Sequence, residues 1–212
     1  MLIDQVLYPV ESLGPGKRIA IWVVGCTHQC EGCSNPELWE AKDQQPITSV
    51  QLFSAISQIA AQFPVDGITI TGGEPMNQAE DLLELVRLLK SITRDILVFT
   101  GYLHERLLQC DVRRDVLDEI AVLVDGPYIK ELNSSLPMRG SSNQQILLFD
   151  LELEERYESY LHTDKRRIQN FYFADQSVSV GIHANDFQSE LDALLKERKV
   201  RRISNESSEV AQ

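Results

Sequence analysis

The sequence predicts an α/β fold whose strands form a mainly parallel sheet. Short β-branched runs alternate with longer amphipathic runs along most of the chain, and turns that contain Gly or Pro separate them. The 212-residue chain is 43% hydrophobic and 25% charged, which is a globular composition. Because crossovers between parallel strands are right-handed, we expect the loops that follow the strands to lie on one common face.

The first elements are predicted from local signals in the first third of the chain. Residues 18–24 follow a Gly-Pro-Gly turn and are nearly all apolar, as expected of a strand buried on both faces. An Asn-Pro pair begins a short helix over residues 35–39. Thr48 and Gln51 form a capping-box pattern, and the apolar residues that follow keep helical spacing as far as Phe63.

Strands and helices then alternate, which is the pattern that indicates a parallel sheet. The predicted strands cover residues 68–71, 95–100 and 120–124. The predicted helices cover residues 78–90 and 103–119, and the second is broken near Asp111.

The last part of the chain is less regular. It contains a polar loop over 133–143, a strand over 145–149, a charged stretch, two short strands over 171–173 and 177–182, and a helix capped by Asp186. We therefore divide the chain into a core domain of residues 1–149, a C-terminal β-α extension of residues 150–203, and a tail of residues 204–212 that is expected to be disordered.

Charge and hydropathy exclude two classes of partner. The formal charge of −12 repels a phosphate backbone, and the basic clusters at 165–167 and 196–202 are flanked by acidic residues, so no nucleic acid is expected. The longest apolar run, residues 19–26, is far shorter than the ~20 residues of a membrane helix, so no membrane association is expected. The first ten residues lack a signal-peptide pattern, and we expect a cytoplasmic protein.

Three of the four cysteines, Cys26, Cys30 and Cys33, fall within eight positions. In a reducing compartment this clustering indicates metal binding or redox chemistry. A structural zinc site or an ordinary iron–sulfur cluster needs four ligands, so another group must fill the last position. The candidates are His28, His104, Cys110 and a non-protein ligand. Cys110 has apolar neighbours and is expected to be a buried inert thiol, which favours an iron with an open position for a small molecule.

The cysteine loop, followed one strand later by Thr69-Ile70-Thr71-Gly72-Gly73-Glu74-Pro75, resembles the radical S-adenosylmethionine superfamily. This resemblance implies a partial, open (β/α) barrel of the radical S-adenosylmethionine type with a C-terminal extension. The small amount of helix before Gly67 likewise favours an incomplete barrel with an open side.

Over roughly residues 8–149, the sequence more narrowly resembles the activating proteins of the anaerobic (class III) ribonucleotide reductases. The further motifs are Gly14-Pro15-Gly16, Thr100-Gly101-Tyr102, Val124-Asp125-Gly126-Pro127-Tyr128 and Arg139-Gly140-Ser141-Ser142-Asn143-Gln144. Glu74 stands where an Asp is expected in that family, but a carboxylate is retained.

The resemblance implies that Cys26, Cys30 and Cys33 hold a single [4Fe-4S] cluster that binds S-adenosylmethionine. One-electron reduction would cleave this cofactor to methionine and a 5′-deoxyadenosyl radical, which would take a hydrogen from a glycine of the large subunit of an anaerobic ribonucleotide reductase. A low-potential protein such as flavodoxin or ferredoxin would donate the electron. The residues implied to contact S-adenosylmethionine are Gly32, Ser34, Gly72, Gly73, Glu74, Pro75, Thr100, Asp125 and Arg139.

Two other functions stay open at the level of sequence. One is a radical S-adenosylmethionine enzyme that acts on a small molecule or a peptide, for which the residues after Phe149 are the best support. The other is a non-catalytic zinc or iron–sulfur module that binds a protein, against which the Gly-Gly-Glu-Pro strand end and the missing fourth ligand count. The extension itself is expected to cover a sheet edge, with partner docking or substrate selection as alternatives.

Overall fold

A six-stranded mixed sheet organises the computed structural model, which describes residues 1–134, 136–162, 166–173, 177–183 and 193. The strands follow in spatial order β1 (Ile3–Val10), β2 (Arg18–Val23), β3 (Gly67–Gly72), β4 (Ile96–Phe99), β5 (Val122–Asp125) and β6 (Gln145–Leu148). Strands β2 to β5 are parallel, whereas β1 and β6 pair antiparallel at the two edges. The predicted α/β class with a parallel sheet is therefore confirmed.

Five α-helices and a second, two-stranded sheet surround this sheet in the described residues. The helices are α1 (Ser49–Gln62), α2 (Ala79–Leu89), α3 (His104–Leu107), α4 (Asp111–Leu117) and α5 (Glu154–Leu161), and the hairpin consists of β7 (Ile168–Tyr172) and β8 (Ser177–Gly181). Short 3-10 helices lie at Pro36–Leu38, Pro75–Gln78, Lys130–Leu132 and Leu151–Leu153. Both hydrogen bonds of the capping box predicted at Thr48 and Gln51 are present.

Both faces of the sheet are covered, because side chains alternate along each strand. On one face, Ile21, Ile70 and their neighbours pack against α1, α2 and α4. On the other face, Trp22 belongs to a cluster with Val180 of β8, and Leu97 belongs to a cluster with Tyr157 of α5. The extension therefore packs on a face of the sheet, not only along an edge as expected.

The edge of the sheet where the parallel strands begin, called here the amino edge, is closed by a buried ion pair. The Arg18 guanidinium lies 2.9 and 3.0 Å from the two carboxylate oxygens of Asp95 and donates to Thr69 Oγ1 at 2.7 Å. The Tyr157 hydroxyl of α5 donates to Asp95 Oδ1 at 2.6 Å. Burial raises the pKa of Tyr157, so its hydroxyl keeps the proton that it donates.

Some predicted elements differ from the structure. Strand β1 and helix α5 were not predicted, and β7 begins earlier than the predicted strand over 171–173. The helix predicted after Asp186 and the predicted tail over 204–212 lie outside the described residues, and the division into domains stays a prediction. Within the described part of the chain, no helix is both long enough and apolar enough to cross a membrane.

Candidate functional site

The loops that follow the parallel strands meet at the opposite edge of the sheet, called here the carboxyl edge. The cysteine loop follows β2, the Gly-Gly-Glu-Pro segment follows β3, and residues 100–102 follow β4. The loop that joins β5 to β6, residues 126–144, completes this group and is named the β5–β6 loop. The common face expected from right-handed crossovers is therefore where the structure places the predicted site residues.

The two glycines of the Gly-Gly-Glu-Pro segment lie against the start of the cysteine loop. Gly73 N donates to Val23 O at 2.7 Å, and Glu74 N donates to Gly25 O at 2.8 Å. A Cβ atom at Gly72 would lie 2.6 Å from Val23 O, and one at Gly73 would lie 2.5 Å from Gly25 O. Because backbone oxygens cannot give way as a flexible side chain can, only glycine fits at these two positions.

Glu74 ties the end of β3 to the loop after β4. Its carboxylate is buried and accepts hydrogen bonds from Met76 N at 2.9 Å, Thr100 Oγ1 at 2.8 Å and Gly101 N at 2.7 Å. The Thr100 hydroxyl in turn accepts from Tyr102 N at 3.1 Å. The predicted contact residues Glu74 and Thr100 are therefore brought together, and each already has partners within the protein.

Asp125 plays a similar part at the end of β5. Its side chain is buried, Oδ2 accepts from His104 N at 2.8 Å, and Oδ1 accepts from Gln145 N at 3.1 Å. Asp125 therefore joins the end of β5 to the start of α3 and the start of β6.

The cysteine loop is closed at its base by backbone hydrogen bonds. Gly25 N donates to Leu38 O at 2.8 Å, and Cys26 N donates to Trp39 O at 2.9 Å. Burial raises the pKa of the Cys30 and Cys33 thiols, while backbone hydrogen bonds from Tyr128 to Cys30 and from Asn35 to Cys33 act in the opposite direction. One backbone amide therefore lies beside each of these two sulfur atoms.

The donor chemistry of this loop fits an iron–sulfur group, although the side chains are not gathered around one point. In the described residues, no three His, Cys, Asp or Glu side chains lie close enough together to hold a metal ion. The Trp39 indole Nε1 is buried without a hydrogen bond of ordinary geometry. It lies near enough to Cys33 to oppose, in part, the rise in the pKa of that thiol that burial causes. A buried N–H beside a soft sulfur ligand is an arrangement that a negatively charged cluster sulfur satisfies.

The three protein candidates for a fourth ligand are His28, His104 and Cys110. In the part of the chain that the structure describes, none of them lies close enough to the cysteines to form a metal site with them. The His28 ring packs edge-on against Tyr102 with centroids 4.6 Å apart, and its Nε2 lies 3.3 Å from Glu74 Oε2. His104 begins α3, and its ring lies 6.0 Å from that of Phe149. Cys110 is partly exposed at the N-cap of α4, so the expectation of a buried thiol was wrong.

The remaining predicted residues occupy two surroundings. Gly32 and Ser34 are exposed in the cysteine loop, whereas Pro75 is buried in a 3-10 helix. Arg139, in the β5–β6 loop, donates from Nη1 to Gln144 O at 3.1 Å, while its Nε is buried without a hydrogen-bond partner.

Sequence reasoning missed two residues that contact the cysteine loop, Trp39 and Tyr128. A Trp six positions after the last cysteine was available as a signal, since an indole can donate a hydrogen bond to sulfur. The motif that ends at Tyr128 places this residue just after β5, but its contact with Cys30 depends on the sheet topology and could not be predicted from the motif.

Comparisons with known proteins agree with this site. Residues 12–147 match the family model described as a 4Fe-4S single cluster domain. The anaerobic ribonucleoside-triphosphate reductase-activating protein of Escherichia coli (strain K12) is 36% identical over 146 residues, which cover 66% of this chain and 94% of that protein. The proteins of the same name from Enterobacteria phage T4 and Vibrio cholerae are 34% and 35% identical, covering 66% and 68% of this chain and 90% and 96% of their own lengths.

A solved structure, that of QueE from Escherichia coli, aligns with a TM-score of 0.40 at 22% identity, covering 47% of this chain and 51% of that one. The family match spans the cysteine loop, the Gly-Gly-Glu-Pro segment and the β5–β6 loop together. The chain belongs to the 4Fe-4S single cluster domain family and, within it, to the anaerobic ribonucleoside-triphosphate reductase-activating proteins.

Proposed function

We propose that this protein is a radical S-adenosylmethionine enzyme that generates a glycyl radical on an anaerobic ribonucleotide reductase. The observation that carries the proposal is a three-cysteine loop fixed by backbone hydrogen bonds against a Gly-Gly-Glu-Pro strand end. Identity of 36% over 146 residues to a reductase-activating protein supports the same function.

The proposed architecture is the partial, open (β/α) barrel of radical S-adenosylmethionine enzymes. Four consecutive parallel strands, β2 to β5, support it, as do the helices packed on one face of the sheet. The edge strands β1 and β6 lie at opposite ends of the sheet, as expected of a barrel that is not closed.

Cys26, Cys30 and Cys33 are the proposed ligands of one [4Fe-4S] cluster. When bound, the cluster supplies the electron that cleaves S-adenosylmethionine to methionine and a 5′-deoxyadenosyl radical. N–H groups lie beside two of the three cysteines, namely the backbone amide of Tyr128 at Cys30, and the backbone amide of Asn35 and the indole of Trp39 at Cys33. Such donors stabilise the negative charge of a thiolate ligand.

The proposed S-adenosylmethionine site lies between the cysteine loop and the loops after β3, β4 and β5. Gly72, Gly73, Glu74 and Pro75 are proposed to receive the methionine amine, Gly32 and Ser34 the adenosyl end, and Thr100 and Asp125 the ribose. Arg139 is proposed to pair with the methionine carboxylate, and its buried, unpartnered Nε supports this role. Glu74, Thr100 and Asp125 also fix the loops, because their side chains already hold backbone groups.

The reaction needs one electron per cleavage, for which we propose a low-potential donor such as flavodoxin or ferredoxin. We also propose the cytoplasm as the compartment, because a reducing environment keeps clustered thiols available as ligands.

The test is the formation of 5′-deoxyadenosine by anaerobically reconstituted and reduced protein. We expect the product from the wild type and from Cys110→Ala, and none from Cys30→Ala, which retains only two of the three ligands. A protein that takes up zinc without iron, or that holds a cluster but forms no product, would contradict the proposal and favour a binding module.

The partner is tested by adding an anaerobic ribonucleotide reductase to the same mixture. We expect an organic glycyl-radical signal in the electron paramagnetic resonance spectrum of the reductase. Formation of 5′-deoxyadenosine without that signal would contradict the assigned partner and favour a small-molecule or peptide substrate.

A further inference from the structure

Arg166, which lies beyond the residues matched by the family model, binds the β5–β6 loop. Its guanidinium donates five hydrogen bonds, four of them at 2.9 Å and one at 3.3 Å. The acceptors are Asn133 Oδ1, Leu136 O, Arg139 O, Gly140 O and His183 O. One side chain from the extension thus connects the end of the β7–β8 hairpin to three backbone positions of the β5–β6 loop.

These contacts continue to the cysteine loop. Asn133, which binds Arg166 through Oδ1, donates from Nδ2 to the Tyr128 hydroxyl at 2.9 Å. The Tyr128 backbone bonds to Cys30, and the Tyr128 ring lies 3.5 Å from the position of a Cβ atom added at Gly32. A continuous series of contacts therefore joins Arg166 to a proposed cluster ligand.

The β5–β6 loop also has a strained residue where Arg166 holds it. Met138 has a φ of +58°, and its buried side chain belongs to the cluster that contains Tyr157 and Tyr160 of α5. A non-glycine residue persists in this conformation only when its surroundings hold it there. The next residue is Arg139, whose carbonyl is bonded to Arg166.

We propose that Arg166 is a positioning residue for the cluster site, so that the C-terminal extension serves the reaction. It fixes the backbone that carries Arg139 and, through Asn133, the backbone amide of Tyr128 beside Cys30. A guanidinium suits this role, because its planar fork offers five donors in fixed directions, whereas a lysine offers three donors at one point. The inference rests on the proposed function for its effect on the reaction but not for its effect on the loop.

The first test measures hydrogen exchange of the backbone amides in the full-length, cluster-free protein. Arg166→Gln should raise exchange over residues 128–144 by at least about tenfold, because several hydrogen bonds from a charged donor are lost. The matched control is Arg167→Gln, which removes the same charge from the next residue, an exposed arginine that lies over the Tyr160 ring with its Cζ 4.9 Å from the ring centroid. Equal exchange in the two variants would overturn the proposal.

Two further variants separate positioning from charge and from folding. Arg166→Lys keeps the positive charge but lacks the planar guanidinium, so its amides over residues 128–144 should exchange nearly as fast as in Arg166→Gln. Exchange as slow as in the wild type would show that charge alone suffices and would overturn the role of the guanidinium geometry. Tyr128→Phe removes only the hydroxyl that binds Asn133 and should raise exchange near residue 128 while residues 136–140 stay protected by Arg166. Unchanged exchange near residue 128 would remove the link to the cysteine loop.

The second test measures the reconstituted protein. Arg166→Gln should keep the iron content of the wild type, since the three cysteines remain, but should bind S-adenosylmethionine about tenfold more weakly and shift the spectrum of the reduced cluster. Wild-type affinity and spectrum in this variant would overturn the proposal. If the wild type itself fails to bind S-adenosylmethionine, the proposed function fails, and the exchange experiment still decides whether Arg166 fixes the loop.

Discussion

The amino edge and the carboxyl edge of the sheet both contain buried polar side chains, but they differ in how fully those side chains are hydrogen-bonded. At the amino edge, Arg18, Asp95 and Tyr157 bond to one another and to nearby backbone. Among the described residues, seven buried side-chain atoms lack a hydrogen-bond partner, and five of them lie in loops of the carboxyl edge. Those five belong to His28, Trp39, Ser134, Arg139 and Asn143, and the other two are the hydroxyls of Ser12 and Ser57. His28 Nε2 makes no hydrogen bond but lies 3.3 Å from Glu74 Oε2.

Unpartnered buried polar atoms cost free energy, so their concentration at one edge needs a compensating role. At the carboxyl edge several such atoms are available to a ligand. At the amino edge the network of Arg18, Asp95 and Tyr157 is closed, and among the described residues only the Ser12 hydroxyl, in the loop before β2, lacks a partner there. We infer that the amino edge serves stability and the carboxyl edge serves binding and chemistry, a common division in parallel α/β sheets.

The largest expected effect on stability is at the amino edge. Asp95→Ala leaves the buried Arg18 guanidinium without its counter-ion, and we expect the free energy of unfolding to fall by about 3–5 kcal/mol. Urea unfolding of the cluster-free protein measures this change. The control is Asp111→Ala, whose exposed carboxylate pairs with Arg114 and should change the free energy by less than about 0.5 kcal/mol. Equal changes in both variants would contradict a special role for the amino edge.

Gly73→Ala should affect both stability and the cluster. The added Cβ would lie 2.5 Å from Gly25 O, so we expect a loss of up to about 3 kcal/mol and a displaced start of the cysteine loop. Because the cysteine loop is displaced, the iron content after reconstitution should fall as well. Ser54→Ala, at an exposed position of α1, serves as the control and should keep its iron. Full iron content in Gly73→Ala would show that the cysteine loop does not depend on this close contact.

Tyr157→Phe should change stability alone. It removes the hydroxyl that donates to the ionised Asp95, and we expect a loss of about 2 kcal/mol with unchanged iron content. Tyr172→Phe is the control. Tyr172 is 79% exposed, so loss of its hydroxyl should leave the free energy of unfolding unchanged. A fall in iron content in Tyr157→Phe would mean that the two edges are coupled.

Thr100→Val is the smallest change and separates two roles of one residue. If the hydroxyl mainly ties Glu74 to Tyr102, unfolding should become easier by about 1 kcal/mol with little change in affinity for S-adenosylmethionine. Thermal unfolding and equilibrium binding measure the two quantities. A tenfold loss of affinity with unchanged stability would instead assign the hydroxyl to ribose binding.

The elements with strong local signals could be predicted from the sequence. The capping box at Thr48 and the β-loop-α unit around Gly73 depend on neighbouring residues, and the structure contains both. Strand β1 was missed because Asp4, Gln5 and Pro9 interrupt its apolar residues. Helix α5 was missed because it buries only Tyr157 and Tyr160, too few residues for an apolar stripe.

In the candidate site, too, the segments with local motifs could be predicted from the sequence, whereas the long-range contacts could not. The resemblance to the radical S-adenosylmethionine superfamily, carried by the cysteine loop and the Gly-Gly-Glu-Pro segment, predicted that these two segments form one site. The hydrogen bonds from Thr100 to Glu74 and from Arg166 to Arg139 join residues more than twenty positions apart. Such contacts depend on the order of strands in the sheet, which residue patterns do not specify.

The most direct test of the central claim is the electron paramagnetic resonance spectrum of the anaerobically reconstituted, reduced protein with and without S-adenosylmethionine. We expect a [4Fe-4S] signal that changes when S-adenosylmethionine is added and that Cys30→Ala abolishes. A cluster signal that is indifferent to S-adenosylmethionine, or zinc in place of a cluster, would contradict the assignment of the carboxyl edge as a radical S-adenosylmethionine site.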